Sequence, residues 1–221
     1  MARRISDKTK IERQMGKGSG KNYKPFITTS EFNSIGTTAV IRDWKTGRGV
    51  HCLSQGEVYW YYILRWDDNN VDIKEQYPLD LPDTLKIAEE NGFKHPANKN
   101  HIMTTDFLVT EADGSLHAYS VKSDRNSLSE RTLELLCIEK QYWLLKGAKF
   151  TLLFKEDANT ILVNNIRRSV EFYDKSSVFD EFSMILHKLA RKDVICDMNT
   201  EILNKNNIYS GKEKQNEGEH D

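Results

Sequence analysis

The spacing of apolar residues in the first half of the chain predicts an alternation of strands and helices. Residues 40–44 form a short, mainly apolar segment that predicts a strand. Ser54 is a suitable N-cap for the aromatic segment "EVYWYYILRW", and Glu57 lies at capping-box spacing from it. "VDIKEQYPL" alternates and predicts a strand that Pro78 ends. Residues 84–91 predict a short helix that stops at a glycine.

The second half of the chain repeats a helical and then a strand-like pattern. Residues 128–146 carry a broad apolar face at helical spacing and end at Gly147. Residues 148–154, "AKFTLLF", form the continuous apolar run of a fully buried strand. A helix that leads into such a strand is typical of a crossover connection. Residues 160–192 predict two further helices.

Residues 104–124, "TTDFLVTEADGSLHAYSVKSD", predict a β-hairpin between these halves. A three-residue loop at 112–114 puts glycine at its third, left-handed position. In that register Asp106 lies opposite Ser120, and Lys122 is its diagonal neighbour on the same face, roughly 7–8 Å away. The order of elements predicts an α/β fold: a mixed sheet with a central antiparallel hairpin, flanked by helices.

The composition is that of a soluble globular protein, with 38% apolar and 29% charged residues in 221. The longest apolar run, residues 58–64, is far shorter than the roughly 20 residues that span a bilayer. The first residues are charged, so no secretory signal is expected. Cys52, Cys137 and Cys196 lie far apart, which argues against a zinc site or a disulfide framework and fits a reducing cytosol.

Positive charge is concentrated at the N-terminus, although the net charge of the chain is −1. Residues 1–24 contain eight basic residues against Asp7 and Glu12. The basic residues are Arg3, Arg4, Lys8, Lys10, Arg13, Lys17, Lys21 and Lys24. Either this segment is a solvated, flexible arm, or it also follows DNA phosphates, and composition leaves both interpretations open.

These patterns predict four segments. Residues 1–30 form a basic flexible N-terminal arm, and residues 31–172 form the catalytic domain. Residues 173–203 form a short helical C-terminal region. The polar residues 204–221 form a disordered tail.

The predicted hairpin face combines a carboxylate, a hydroxyl and an ammonium. Metal-dependent phosphodiester hydrolysis needs carboxylates to hold Mg²⁺ and a positive group near the attacking water or the scissile phosphate. Asp106, followed on the next strand by residue-x-Lys122, is the arrangement of restriction-endonuclease-like nucleases, with Ser120 at the usual acidic position. The bland alternatives are a surface salt bridge worth about 0–1 kcal/mol, or a solvent-exposed face whose alternation is accidental.

Several blocks in one order resemble the TnsA family, the endonuclease subunits of heteromeric cut-and-paste transposons that also use TnsB and TnsC. The blocks are "GSGKNYKPF", "LSQGEVYWYYILRW", "VDIKEQYPL", "GFKHP", "MTTDFLV", "YSVK" and "ERTLELLCIEKQYW". The resemblance covers about residues 18–173. It implies a restriction-endonuclease-like fold for the sheet predicted above.

The resemblance also implies the catalytic residues. Family members use a helix glutamate, an aspartate and a Gln-x-Lys, which correspond here to Glu57, Asp106, and Ser120 with Lys122. It implies two Mg²⁺ ions, replaceable by Mn²⁺, held by Glu57, Asp106 and the backbone carbonyl of Val121. Ser120 departs from the family glutamine and is too short to take over its reach.

The resemblance implies an enzyme that cuts the 5′, non-transferred strands of double-stranded DNA at transposon ends. The implied partners are a TnsB-like transposase and a TnsC-like AAA+ ATPase, with no membrane and no small-molecule substrate. The implied location is the bacterial cytoplasm, in association with the nucleoid when bound to DNA. Two alternatives stay open: a stand-alone restriction or repair nuclease, and a non-catalytic DNA-binding assembly subunit. The role of Glu75 and Gln76, structural, DNA-facing or metal-binding, also stays open.

Overall fold

The largest sheet of the protein has four strands. A computed structural model describes residues 5–31, 38–96, 101–126, 128–174 and 180–208. The strands lie in the order β3 (Asn70–Pro78), β4 (Thr104–Glu111), β5 (Leu116–Lys122) and β6 (Lys149–Phe154). The β3–β4 and β4–β5 pairs are antiparallel, and the β5–β6 pair is parallel. The β4–β5 hairpin is therefore central, and the predicted restriction-endonuclease-like mixed sheet is confirmed.

The remaining elements of this part of the chain surround that sheet in sequence order. They are α1 (Asp7–Glu12), β1 (Ala39–Arg42), β2 (Gly49–Cys52), α2 (Gln55–Trp66), α3 (Leu81–Glu90) and α4 (Glu130–Leu145). Strands β1 and β2 pair with each other in a separate antiparallel sheet. Helix α4 supplies the crossover between the parallel strands β5 and β6. None of the helices in the described part of the chain is long and apolar enough to span a membrane.

The two faces of the four-stranded sheet bury different side chains. Leu108 and Ala118 share a buried cluster with Ile138 and Trp143 of α4. Tyr61 of α2 lies against Phe107, with ring centroids 6.2 Å apart. Helices α2 and α4 thus cover residues that alternate along the strands, as the period of two requires.

The hairpin has the predicted loop and register. Phe107 pairs with Tyr119, and the Glu111 N–H donates to the Ser115 carbonyl at 2.9 Å. This leaves a three-residue loop that ends at Gly114, whose φ is +85°. The predicted three-residue loop and its register are confirmed.

The N-terminal segment differs from the predicted flexible arm. Residues 5–31 contain α1 and two short 3₁₀ turns, and Tyr23 and Phe26 are buried. The Tyr23 hydroxyl donates to the Glu75 carbonyl at 2.9 Å, and the Phe26 N–H donates to the Gln76 carbonyl at 3.2 Å. The segment is ordered because these aromatic side chains and backbone hydrogen bonds attach it to β3.

Burial also corrects part of the predicted DNA-binding set. Lys10 is 2% exposed and pairs with Glu31 at 2.8 Å, so it is not available to a DNA phosphate. The other five basic side chains in the described part of this segment are exposed; they are Lys8, Arg13, Lys17, Lys21 and Lys24. Arg3 and Arg4 lie outside the described residues.

The chain divides into two compact units, Met1–Ala158 and Asn159–Asp221, rather than near residue 173. The second unit contains the two predicted helices, α5 (Thr160–Val170) and α6 (Glu181–Ala190). Its boundary precedes α5 because the Asn165 amide on that helix donates to the carbonyls of Met198 and Glu201 at 2.9 and 2.7 Å. These hydrogen bonds join α5 to the end of the described chain.

The predicted disorder from residue 204 is not seen as far as the structure describes that segment. Leu203 and Ile208 are both buried. The Asn204 side chain accepts hydrogen bonds from the Asn206 and Asn207 N–H groups. The rest of the predicted tail, residues 209–221, lies outside the described residues.

Candidate active site

One cavity of about 410 Å³ brings together most of the predicted catalytic residues. It lies between the start of α2, the two hairpin strands and the 3₁₀ turn that follows β6. The residues that line it are Ser54, Gln55, Gly56, Glu57, Asp106, Val121, Lys122, Ser123 and Lys155. Glu57, Asp106, Val121 and Lys122 are therefore placed together, whereas Ser120 is not part of the lining.

The N-terminus of α2 positions Glu57. The Glu57 N–H donates to Ser54 Oγ at 3.2 Å, which is the capping interaction expected from the sequence. The Glu57 carboxylate turns back and accepts from the Leu53 N–H at 2.8 Å. A Cβ on Gly56 would lie 3.0 Å from Val121 Cγ1, so glycine permits this helix end to approach β5 closely.

Asp106 is positioned where the pairing of β4 with β5 stops. The paired residues extend only as far as Phe107 and Tyr119. Beyond them, Asp106 Oδ2 accepts the Val121 N–H at 2.6 Å. The carboxylate replaces a backbone carbonyl as the acceptor for β5, which fixes one oxygen of Asp106 beside the cavity.

A buried amide lies between the two acidic residues. Gln76 Nε2 donates to Glu57 Oε2 at 3.1 Å and to Asp106 Oδ1 at 3.4 Å. Gln76 is only 2% exposed. The two carboxylates therefore share one neutral donor across the gap between α2 and β4.

Lys122 and Ser120 lie on the same side of β5. Lys122 Nζ donates to Ser120 Oγ at 3.2 Å and to the Val121 carbonyl at 3.3 Å. Ser120 is 2% exposed and also forms a hydrogen bond with Glu139 of α4. The serine thus links the lysine to a third carboxylate, behind the cavity wall.

The electrostatics of this region disfavour ionised carboxylates. Burial, and then the charge of Asp106, raise the pKa of Glu57 to about 8. Burial, and again the charge of Asp106, raise the pKa of Glu139 to about 7. Within the described residues, neither Glu57 nor Glu139 has an ion pair with a lysine or arginine. A bound cation would relieve the repulsion that these pKa values report.

The residues present fit a magnesium ion, although they do not form an all-protein cage. In the described ranges, no three His, Cys, Asp or Glu side chains form a metal-binding group. Mg²⁺ is commonly held by one or two carboxylates together with water and substrate phosphate. Glu57 and Asp106 supply the two carboxylates, and their shared donor shows that their oxygens converge on one place. The nearby Val121 carbonyl is available as a further oxygen ligand.

Three residues near the cavity had no role assigned from the sequence. Glu139 is buried on α4 between Ile138 and Tyr142, and an acidic residue within an apolar stripe is the signal that could have found it. Lys155 lines the cavity mouth and is exposed, but nothing in its local sequence distinguishes it from other surface lysines. Gln76, whose role the sequence left open, contacts both catalytic carboxylates.

The predicted DNA-binding residues lie elsewhere. None of the exposed basic side chains of residues 5–31 lines the active-site cavity within the described structure. Lys17 lines a second cavity of about 520 Å³, together with Tyr77, Tyr142 and Lys146. Any contact of these lysines with DNA would therefore be made away from the carboxylates.

Comparison with known proteins gives a consistent result. The family model "TnsA-like endonuclease N terminal" matches residues 67–154, which include Asp106 and Lys122. Over 190 residues the chain is 37% identical to "Transposon Tn7 transposition protein TnsA" of Escherichia coli, an alignment that covers 83% of this chain and 70% of that protein. Glu57 and Asp106 converge on a cavity in the fold that this family is expected to have. The chain belongs to the TnsA family of transposition endonucleases.

Proposed function

We propose that this chain is the magnesium-dependent endonuclease subunit of a heteromeric transposase and cleaves the 5′, non-transferred strand at each transposon end. The observation that carries the proposal is the convergence of Glu57, Asp106 and Lys122 on one cavity. In a TnsA-family chain, that combination supports phosphodiester hydrolysis at this site.

The chain's own residues divide the work. Glu57, Asp106 and the Val121 carbonyl would hold two Mg²⁺ ions, with Mn²⁺ able to replace them. Bound Mg²⁺ supplies Lewis-acid polarisation of the phosphate and lowers the pKa of the attacking water. Lys122 forms no ion pair with a carboxylate among the described residues, so its ammonium can face the developing negative charge. Ser120 supports Lys122 through the 3.2 Å hydrogen bond.

Partner proteins and DNA complete the proposal. A TnsB-like transposase would cut and join the 3′ ends, and a TnsC-like ATPase would couple the complex to a target. The exposed side chains of Lys17, Lys21 and Lys24 surround an ordered turn and offer positive charge to DNA phosphates. Phosphate contacts of this kind carry no sequence information, so recognition of the ends is assigned to the partners.

The test is strand-specific cleavage of an end-labelled transposon-end duplex with TnsB-like and TnsC-like partners. The wild-type chain should cut the 5′ strand only when Mg²⁺ or Mn²⁺ is present. Asp106→Ala should abolish that cut and leave the folded state intact by circular dichroism. Asp113→Ala is the matched control, because Asp113 lies in the exposed loop of the same hairpin. Unchanged cleavage by Asp106→Ala would refute the assignment of this site.

The same experiment separates the alternatives. Efficient, site-specific cutting by the purified chain alone would favour a stand-alone nuclease. Assembly of a DNA complex in which wild type and Asp106→Ala behave alike would favour a non-catalytic subunit. Cleavage that requires both Asp106 and the partners supports the proposed role.

A further inference from the structure

Gln76 has an unusual backbone conformation for a residue inside a β-strand. Its φ is +48°, in the left-handed region that favours glycine. Strained residues of this kind persist only where their surroundings over-determine them, and they cluster at functional sites. Of the described non-glycine residues with positive φ, Gln14, Gln76 and Lys192, only Gln76 lies within a strand.

The N-terminal segment holds this conformation in place. Strand β3 lies at the edge of the four-stranded sheet, and residues 23–26 cover that edge. The Phe26 N–H donates to the Gln76 carbonyl at 3.2 Å, and the Tyr23 hydroxyl donates to the Glu75 carbonyl at 2.9 Å. The carbonyls on both sides of the inverted residue therefore have donors from outside the sheet.

The side chain of Gln76 is fixed at both ends of its amide. The Thr104 hydroxyl donates to Gln76 Oε1 at 3.2 Å, which orients the NH₂ group away from Thr104. An amide NH₂ has two N–H bonds, and here one is directed to Glu57 and the other to Asp106. This arrangement uses all the donor capacity of the side chain on the two carboxylates.

A neutral double donor suits this position better than a charged residue. A lysine or arginine would neutralise Glu57 and Asp106 and would compete with a metal ion for their oxygens. A glutamate would add repulsion between like charges and provide no donor. A neutral amide holds one oxygen of each carboxylate and leaves the net negative charge of the pair for a cation.

We infer that Gln76 is a positioning residue that sets the separation of Glu57 and Asp106 for metal binding. The inference rests on the proposed function, because it assumes that this pair binds a divalent cation. It also gives the ordered N-terminal segment a role in the active site: Phe26 and Tyr23 support the backbone that directs the amide. Outer partners that orient metal ligands typically change metal affinity by about 10-fold to 100-fold.

Mn²⁺ binding to the full chain, measured by calorimetry, tests the inference without relying on cleavage. Gln76→Gly removes the amide and relieves the backbone strain, so the variant should fold and bind Mn²⁺ about 10-fold to 100-fold more weakly. Gln76→Met keeps the length of the side chain without its donors and should show a similar loss. Gln14→Gly is the matched control, because Gln14 also has positive φ, +56°, but is exposed and does not line the active-site cavity.

The possible results separate this inference from the proposed function. If wild type binds Mn²⁺ and both folded Gln76 variants bind it equally well, the inference is overturned while metal dependence stands. If wild type and Asp106→Ala both fail to bind Mn²⁺, metal dependence and the inference fail together. Weak binding by both Gln76 variants, with wild-type affinity for Gln14→Gly, supports the positioning role. Should Gln76→Gly not fold, the Gln76→Met result alone decides.

Discussion

Two buried glutamates of the first unit, Glu75 and Glu57, have opposite electrostatic surroundings. Arg48 binds Glu75 with both terminal nitrogens, at 2.6 and 2.7 Å, and the His51 N–H adds a third donor at 3.1 Å. Glu57 receives only neutral donors, from Leu53 and Gln76, and its pKa rises to about 8. The protein neutralises one carboxylate internally and leaves the other to be neutralised from outside.

The same division holds for the other buried acidic residues in the described ranges. Those residues are Glu31, Asp43, Glu57, Glu75 and Glu139. Lys10 pairs with Glu31 at 2.8 Å, and Arg65 pairs with Asp43 at 2.9 Å. The two without a basic partner, Glu57 and Glu139, are the two whose pKa is raised by the charge of Asp106. Unpaired buried charge is costly, so its concentration around one aspartate marks that region as functional.

Breaking the neutralised pair should have the largest effect on stability. Arg48→Met would leave Glu75 buried and unpaired, which typically costs about 3–5 kcal/mol. Urea unfolding at neutral pH measures the loss. Arg42→Met is the control, because Arg42 is exposed on β1 and its loss should change stability by about 0.5 kcal/mol or less. Equal midpoints for the two variants would show that Glu75 does not need its arginine.

Removing the unpaired charge should have the opposite sign. The pKa of Glu57 is raised from 4.5 to about 8, so the folded state binds its proton more tightly than the unfolded state. The stability this contributes is complete below about pH 4.5 and is lost as pH rises towards 8. With EDTA present, Glu57→Gln should therefore be more stable than wild type at pH 8, by on the order of a few kcal/mol.

The pH dependence distinguishes this effect from a general change in packing. The difference between Glu57→Gln and wild type should shrink as pH falls towards 5, because wild-type Glu57 becomes protonated. Glu75→Gln, the matched control, should lose stability at both pH values because it weakens the Arg48 pair. Added Mg²⁺ should stabilise wild type at pH 8 and leave Glu57→Gln little changed. A pH-independent difference would contradict the assignment of the raised pKa to Glu57.

The comparison also shows which features local sequence can predict. The hairpin register follows from the alternation of residues 104–122 and from glycine at position 114, all within one short segment. The cap at Ser54 depends on residues within one helical turn. The paired placement of Asp106 and Lys122 in one cavity could be anticipated for the same reason. These features need no knowledge of distant parts of the chain.

Features that depend on distant contacts were not predictable. The basic composition of residues 1–30 predicts an arm, but Lys10 is neutralised by Glu31, and Phe26 bonds to a carbonyl on β3. The inverted backbone of Gln76 occurs in a segment whose alternation looks regular. Glu139 becomes significant only when the face of α4 that meets β4 and β5 is known. In each case the missing information was which distant segment is the neighbour.

The smallest predicted effect concerns the link between Lys122 and the unpaired carboxylates. Ser120 accepts from Lys122 Nζ at 3.2 Å and also bonds to Glu139, so its hydroxyl holds the ammonium near the cavity without lining it. Ser120→Ala should therefore slow single-turnover cleavage of the 5′ strand by about 10-fold to 100-fold at saturating Mg²⁺. Lys122→Ala should cost more, because it removes the positive charge itself. Ser115→Ala, at the far end of the same hairpin, should cleave as wild type does. Ser120→Ala as inactive as Asp106→Ala would instead mean that the serine contacts the metal directly and that its short side chain does replace the family glutamine.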